Sequence, residues 1–133
     1  FSAHLSANQN IATATFTKIA FNSELFDTNS DYNTSTYRFT PTVAGYYQIN
    51  AIAILSTVKN TAIIEIYKNG AALARGNQQT NSALQTTRGM NISYLAYANG
   101  SSDYFEIYAY HTTGATEEIL GTSRFSYFLA RAA

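Results

Sequence analysis

Residues Phe21 to Ala51 read FNSELFDTNSDYNTSTYRFTPTVAGYYQINA. This stretch holds the chain's only proline, Pro41, which follows a short β-prone segment ending at Phe39. Proline cannot donate a hydrogen bond to a β-ladder, so a strand must end at that point. Gly45 suits the turn that follows, and an apolar run begins beyond it. The stretch therefore predicts a strand, a tight turn and a long central strand.

The rest of the chain has the composition of an all-β protein. Its 133 residues include 11 Tyr and 8 Phe, and only 12% of them are charged. Tyr, Phe and Thr favour strands, whereas Asn and Gly favour the turns between them. Turn signals at regular spacing, among them Asn69-Gly70, divide the chain into nine or ten short strands. We expect one domain spanning residues 1–133, folded as a β-sandwich.

Charge and composition exclude several classes of function. The formal net charge is +0, which argues against nucleic acid as a partner because phosphate binding needs a basic excess. Cysteine is absent, so disulfides and thiolate chemistry are excluded. No apolar run reaches the roughly 18 residues of a membrane span. The chain begins within a strand-like pattern and without a signal peptide, so we expect a domain excised from a longer parent chain.

The spacing in the opening stretch resembles the signature of the C1q-like globular head family. That signature reads F-x(5)-[ND]-x(4)-[FYWL]-x(6)-F-x(5)-G-x-Y-x-F-x-[FY]. The residues in register with it are Phe21, Asp27, Tyr32, Phe39, Gly45 and Tyr47, while Ile49 and Ala51 stand where the family has aromatics. The later segments LAYANGSSDYFEIYAY and FSYFLA also look like the family's strand–turn–strand and closing strand. The resemblance covers essentially the whole chain.

This resemblance implies a ten-stranded jelly roll of the C1q and tumour necrosis factor type that assembles as a homotrimer. The residues expected at the trimer interface are Gln48, Asn50, Ile52, Ile54, Tyr94, Phe125, Tyr127 and Leu129. Those expected in the protomer core are Phe21, Tyr32, Phe39, Gly45, Tyr47, Ile49 and Phe128. The run from Tyr46 to Leu55 also becomes apolar on both faces, which indicates a second covering layer. The alternative is that these side chains are simply the core of a monomer.

Catalytic and metal-binding patterns are sparse. His4 and His111 are far apart, and the chain has none of the motifs of hydrolases or phosphate-binding loops, so we do not expect an enzyme. Some members of the resembled family bind calcium, and the only aspartates are Asp27, Asp31 and Asp103. These are candidate oxygen ligands; equally, they are residues that form turns. No other cofactor is expected.

The function expected from the resemblance is recognition. The chain would be a trimeric head at the tip of a fibre or stalk, binding a cell-surface glycan or protein in an extracellular or virion-surface setting. Its lack of cysteine favours a viral, phage or bacterial source. The candidate contact surfaces are the polar loops Glu24–Thr36, Gly76–Ser82, Asn99–Ser102 and Thr112–Glu118. Two alternatives stay open: a structural trimerisation cap without a ligand, and an animal innate-immune recognition domain.

Overall fold

A computed structural model describes the backbone of residues 1–130 and the side chains of residues 1–125. Within that part of the chain the regular structure is entirely β, and no helix is long and apolar enough to cross a membrane. The strands are β1 (Ser2–His4), β2 (Gln9–Ile11), β3 (Thr17–Lys18), β4 (Ser23–Phe26), β5 (Tyr32–Asn33), β6 (Arg38–Phe39), β7 (Gly45–Lys68), β8 (Ala71–Ala98), β9 (Phe105–His111), β10 (Glu117–Ile119) and β11 (Arg124–Ala130).

Two long strands dominate the fold and change the predicted strand count. β7 has 24 residues and β8 has 28, and they form one antiparallel hairpin closed by Asn69 and Gly70. Both turn residues have positive φ, 53° and 81°, as the Asn-Gly pair predicts for a type I′ turn. The segment predicted as the loop Gly76–Ser82 lies inside β8 instead. That prediction was wrong because its polar side chains stand on an edge strand, where polar residues are tolerated.

The long hairpin bends so that each strand contributes to two sheet layers. Near residues 46–52, β7 pairs with β11, and near residues 62–68 it pairs with β9. The pairing register of β7 and β8 shifts between Val58 and Asn60, and Asn60 has a φ of 62°. A bulge of this kind adds bend and twist to a strand. It falls where the hairpin passes from one layer to the other.

The two layers form a jelly-roll sandwich. The first layer contains β4, β1, β11, the first half of β7 and the second half of β8. The second layer contains the other halves of β7 and β8, with β9, β6, β5 and β3. Aromatic contacts join them: the ring of Phe39 lies 5.1 Å from that of Phe1 and 5.4 Å from that of Tyr47. The hydrophobic core therefore lies between the layers.

Most of the predicted core residues are buried there. Phe21, Tyr32, Phe39, Tyr47 and Ile49 all belong to one buried cluster. The hydroxyl of Tyr32 donates to the carbonyl of Phe21 at 2.8 Å, which satisfies its polar end inside the core. Gly45 is half-buried at the start of β7, opposite Ala98.

The prediction for Phe125 was wrong. Phe125 was expected at the trimer interface, but it is fully buried and its ring meets that of Phe1 edge-on at 5.0 Å. The reason is register. Phe125 lies opposite Ala51, and residues opposite each other in an antiparallel pair share one face, here the core face.

The last strand carries three further predictions, for Tyr127, Phe128 and Leu129. Their backbones lie opposite Ile49, Gln48 and Tyr47 respectively. Their side chains lie outside the described residues.

The layers also close against each other along β8. A Cβ on Gly76 would lie 2.3 Å from the carbonyl oxygen of Asn91 and 2.7 Å from Cγ2 of Ile64, so only glycine fits this approach. Just beyond Gly76, the backbone nitrogen of Asn91 donates to Oδ1 of Asn77 at 2.6 Å, and Nε2 of Gln79 donates to the carbonyl of Gly89 at 2.7 Å. The two halves of β8 are thus tied together at the edge of the sandwich.

Candidate assembly and recognition surfaces

The outward side of the first layer, called face A below, combines side chains of β7, β8, β11 and β1. They are Tyr46, Gln48, Asn50, Ile52 and Ile54 of β7, Asn91, Ser93, Leu95 and Tyr97 of β8, Arg124 of β11, and Ser2 and His4 of β1. A polar network occupies its centre. Nε2 of Gln48 donates to the hydroxyl of Ser93 at 2.8 Å, and that hydroxyl donates to Oδ1 of Asn50 at 2.8 Å. The network is open to solvent in the single chain.

Apolar side chains flank this polar centre. At one end Tyr46, Leu95 and Tyr97 are 56%, 49% and 48% exposed, and the two tyrosine rings meet at 5.4 Å. On the other side of the centre Ile52 is 37% exposed and Ile54 is half-buried. Exposed apolar groups on one continuous face indicate a surface that another molecule covers.

Face A also contains a depression of about 330 Å³. Its lining includes Asn50, Ile52, Asn91, Ser93 and Arg124. Nη1 of Arg124 donates to the carbonyls of Gly121 and Ser123, both at 3.0 Å, so the guanidinium is anchored at the rim. A hollow of this size, mixed in polarity, can receive one or two side chains from a second molecule.

Four of the predicted interface residues share face A, namely Gln48, Asn50, Ile52 and Ile54. Tyr94 does not. It lies opposite Ile49, whose side chain faces the core, so Tyr94 was assigned to the wrong side of the sheet. Its side chain is nevertheless 41% exposed, because β8 is an edge strand and Tyr94 stands at the mouth between the layers beside Leu73.

Two of the candidate calcium ligands organise a loop instead. Asp31 is buried and accepts hydrogen bonds from Nδ2 of Asn29 at 2.9 Å and from the hydroxyl of Thr42 at 2.9 Å. Asp27 accepts from the backbone nitrogens of Asn29 and Tyr32 at 3.3 and 2.8 Å. Carboxylates used in this way hold the loop between β4 and β6 in shape.

The third candidate, Asp103, joins two turns. Its carboxylate accepts from Nδ2 of Asn69 at 2.8 Å, the nitrogen of Asn99 at 3.0 Å and Nζ of Lys68 at 2.9 Å. These contacts hold the pKa of Asp103 below its ordinary value, with the hydrogen bond from Asn69 the largest cause. Among the described residues, no three His, Cys, Asp or Glu side chains are grouped to hold a metal ion.

The predicted contact loops lie in different places. Asn99–Ser102 is a turn held together by Oδ1 of Asn99, which accepts hydrogen bonds from the backbone nitrogens of Ser101, Ser102 and Asp103. Thr112–Glu118 begins beyond β9 and ends in β10, and Glu24–Thr36 includes most of β4 and all of β5. These loops do not converge on a common pocket in the part of the chain that is described.

The outward side of the second layer, called face B below, was missed by sequence reasoning. It presents Tyr104, Glu106, Tyr108 and Tyr110 from β9 and the residue before it, with Tyr67 of β7 beside them. The rings of Tyr67 and Tyr108 stack at 3.9 Å. The signal was present in the segment DYFEIYAY, where these residues alternate with the buried Phe105, Ile107 and Ala109.

Face B also carries a cluster of charges centred on Glu106, whose side chain is only 2% exposed. Its Oε1 accepts from Nζ of Lys18 at 3.0 Å and from Nε of Arg38 at 2.8 Å. The guanidinium of Arg38 lies 4.1 Å from the centre of the Tyr104 ring. The hydrogen bond to Glu106 raises the pKa of Arg38, and burial together with the Glu106 charge raises that of Tyr108.

Comparison with known proteins identifies the fold. The family model described as C1q domain matches residues 1–130. The structure titled Globular Domain of Zebrafish Complement 1qA protein aligns with a TM-score of 0.69 at 16% identity, covering 100% of this chain and 98% of that one. Eiger TNF from S. frugiperda aligns with a TM-score of 0.72 at 10% identity, covering 99% and 93%.

No curated protein matches the sequence. The structural likenesses show an all-β jelly roll of the C1q and TNF type, as the resemblance implied. The family match extends over nearly the whole chain. The chain therefore belongs to the C1q domain family, whose domains are recognition or structural modules rather than enzymes.

Proposed function

We propose that this chain is the homotrimeric recognition head of a fibrous or stalked protein and that it binds a cell-surface glycan or protein receptor. C1q and TNF-like domains generally assemble as homotrimers and act in recognition, and C1q-domain proteins are generally extracellular. The single observation that carries the proposal is face A. Its exposed Tyr46, Ile52, Leu95 and Tyr97 surround a polar centre and a hollow, as expected of a surface covered by further copies of the chain.

The interface proposed here has face A at its centre, with Gln48, Asn50, Ile52 and Ile54 towards the threefold axis. A trimer would bring three copies of one weak binding site to the same cell surface, and the gain is avidity. Ser2 pairs with Ser126, so both ends of the described chain lie at one end of the sandwich. A stalk joined there would leave the opposite end and the sides free for a ligand.

A fibre of viral, phage or bacterial origin, exposed on a virion or cell surface, is the setting that we propose. The support is compositional: cysteine is absent and charged residues make up only 12% of the chain. Small extracellular domains of animals commonly use disulfides.

The assembly is tested by static light scattering after size-exclusion chromatography, at several protein concentrations. We expect the mass of three chains. Ile52→Asp should give monomers, because three carboxylates would be brought together in a desolvated interface. Leu25→Asp is the matched control, since Leu25 is 62% exposed on β4, at the far edge of the first layer.

A wild-type protein that stays monomeric at high concentration would end the proposal. So would an Ile52→Asp variant that remains trimeric, because face A could not then be the interface. Recognition is tested by applying the trimer to an array of glycans and cell-surface proteins. If nothing on the array is bound, the alternative is favoured, in which the domain is a structural trimerisation cap without a ligand.

A further inference from the structure

The Glu106 cluster holds more positive charge than its carboxylate can neutralise. Two cations, Lys18 and Arg38, meet the same oxygen of one buried glutamate. One of them would suffice to neutralise it, as Arg75 alone does for the buried Glu65 on the same face. One unit of positive charge is therefore left over at this point of face B, and the two cation side chains are 28% and 39% exposed.

The surplus cation has donors left for a ligand. The hydrogen bonds of the described residues engage only Nε of Arg38, so its two Nη groups remain available. Nζ of Lys18 donates to Glu106 and, at 3.1 Å, to the carbonyl of Thr36. Its third hydrogen is left to donate to a ligand. Arg38 is held at Nε, and its two Nη groups are left as a pair of donors. Such a pair matches the spacing of two oxygens on one anion.

The cations are held in place before any ligand arrives. Arg38 is fixed by Glu106 on one side and by the ring of Tyr104 at 4.1 Å. Lys18 lies 5.7 Å from the centre of the Tyr37 ring. Tyr37 has a φ of 59°, a left-handed conformation that is costly for a bulky residue and that concentrates at binding sites.

Half-exposed tyrosines surround the two cations. Tyr37, Tyr104 and Tyr108 are half-buried; Tyr104 packs one ring face on Arg38 and Tyr108 packs one on Tyr67, so a ligand would meet the exposed parts of these rings. Pyranose rings present patches of C–H groups and hydroxyls that pack on tyrosine rings and bond to their hydroxyls. A saccharide chain suits an open face of this kind better than a ligand that needs a deep pocket.

We propose that Lys18 and Arg38 bind the acidic group of a saccharide, whose sugar ring packs beside Tyr104 and Tyr108. The site lies on the opposite side of the sandwich from face A, so trimer formation leaves it accessible. The inference deepens the recognition role proposed above by naming the ligand class and the surface, and it rests on that role.

The test is isothermal titration calorimetry of the trimer with a tetrasaccharide of galacturonic acid. The methyl ester of the same tetrasaccharide is the ligand control, because it keeps the rings and removes the charges. We expect the acid to bind at least tenfold more tightly than the ester, and more weakly as salt is added. Arg38→Gln should weaken the acid at least tenfold, since a charge-assisted fork is lost.

Arg88→Gln is the matched control variant, because it removes the same charge from an arginine whose side chain bonds only to Gln85 among the described residues. It should change binding by less than about twofold, the shift expected from long-range charge alone. If Arg38→Gln proves unstable by circular dichroism, Lys18→Gln gives a second measurement. In that variant Glu106 is still paired with Arg38, so its buried carboxylate is not left without a cation.

Three results would overturn the inference: no binding of the acid, equal binding of acid and ester, or equal losses in Arg38→Gln and Arg88→Gln. Light scattering on the same samples separates this failure from that of the assembly. A trimer that does not bind the acidic tetrasaccharide refutes only the saccharide site. A monomer that binds it refutes only the trimer.

Discussion

The two outward faces of the sandwich are built on the same pair of long strands, yet they differ in how their polar groups are paired. On face B, buried Glu106 and Glu65 are held by cations at 2.6–3.0 Å, and tyrosine rings cover one another. On face A, amides and a hydroxyl form a solvent-exposed network between exposed apolar side chains. Face B pairs its buried carboxylates with cations of the same chain, whereas face A leaves its apolar side chains exposed.

The difference indicates which face costs less free energy to remove from water. Covering face B with protein would desolvate Lys18, Arg38 and Arg75, a cost that new contacts seldom recover. Covering face A removes exposed Tyr46, Leu95 and Ile52 from water, which is favourable at about 25 cal/mol per Å². These free energies support the roles that we propose for the two faces, namely assembly through face A and recognition through face B.

The largest expected effect comes from separating the two layers that carry these faces. Gly76→Ala would place a methyl group 2.3 Å from the carbonyl oxygen of Asn91, and the backbone must move to relieve it. We expect a loss of about 3 kcal/mol in the free energy of unfolding, as for severe overpacking. Urea denaturation followed by circular dichroism measures it.

Gly89→Ala is the control on the same strand. Its new methyl group would lie 3.6 Å from Cδ1 of Ile52 and 4.0 Å from Cγ1 of both Ile52 and Ile54, which are ordinary contact distances. A Gly76→Ala variant as stable as Gly89→Ala would show that the two halves of β8 do not touch as described.

The next largest effect concerns the charge cluster of face B. Glu106→Gln leaves Lys18 and Arg38 facing each other without a carboxylate. Because both cations are partly exposed, we expect a loss of about 2 kcal/mol in the free energy of unfolding, below the range for fully buried pairs. The exposed Glu118 supplies the control, and Glu118→Gln should cost less than about 0.5 kcal/mol. Equal costs would mean that the cluster contributes little.

Much of this fold could be predicted from the sequence because the motif residues are those whose geometry is local. Pro41 ends a strand, and Asn69-Gly70 closes a hairpin, whatever the rest of the chain does. Phe21, Phe39 and Tyr47 are large and apolar, so their burial follows from the same pattern. These positions could be read without knowing which strands pair.

The errors concern residues whose facing depends on register between distant strands. Phe125 and Tyr94 were placed by analogy with the resembled family, but their facing is set by Ala51 and Ile49 across the sheet. The Lys18–Arg38–Glu106 cluster joins β3, β6 and β9, and no local pattern links them. Only the alternation around Glu106 was readable in advance.

A smaller effect is expected on acid stability at the end where the hairpin turns meet. The folded chain holds the pKa of Asp103 below its ordinary 3.8, so this carboxylate stabilises the fold above that pH. The contribution is lost as pH falls through 3.8 towards the lower folded value. Asp103→Asn should therefore cost about 1 kcal/mol at pH 7 and much less at pH 2. Denaturation curves at both pH values test this, and a cost that does not change with pH would contradict it.

The smallest effect in a single chain, and the most informative about face A, is that of Ser93→Ala. The hydroxyl of Ser93 bridges Gln48 and Asn50, but in an isolated chain water can replace it. In the Ile52→Asp background, where we expect monomers, the loss should be below about 0.5 kcal/mol. In the trimer, Gln48 and Asn50 would be left unsatisfied away from water, at about 1 kcal/mol or more per chain. Denaturation at several protein concentrations measures both values, and equal losses in monomer and trimer would show that face A stays in water.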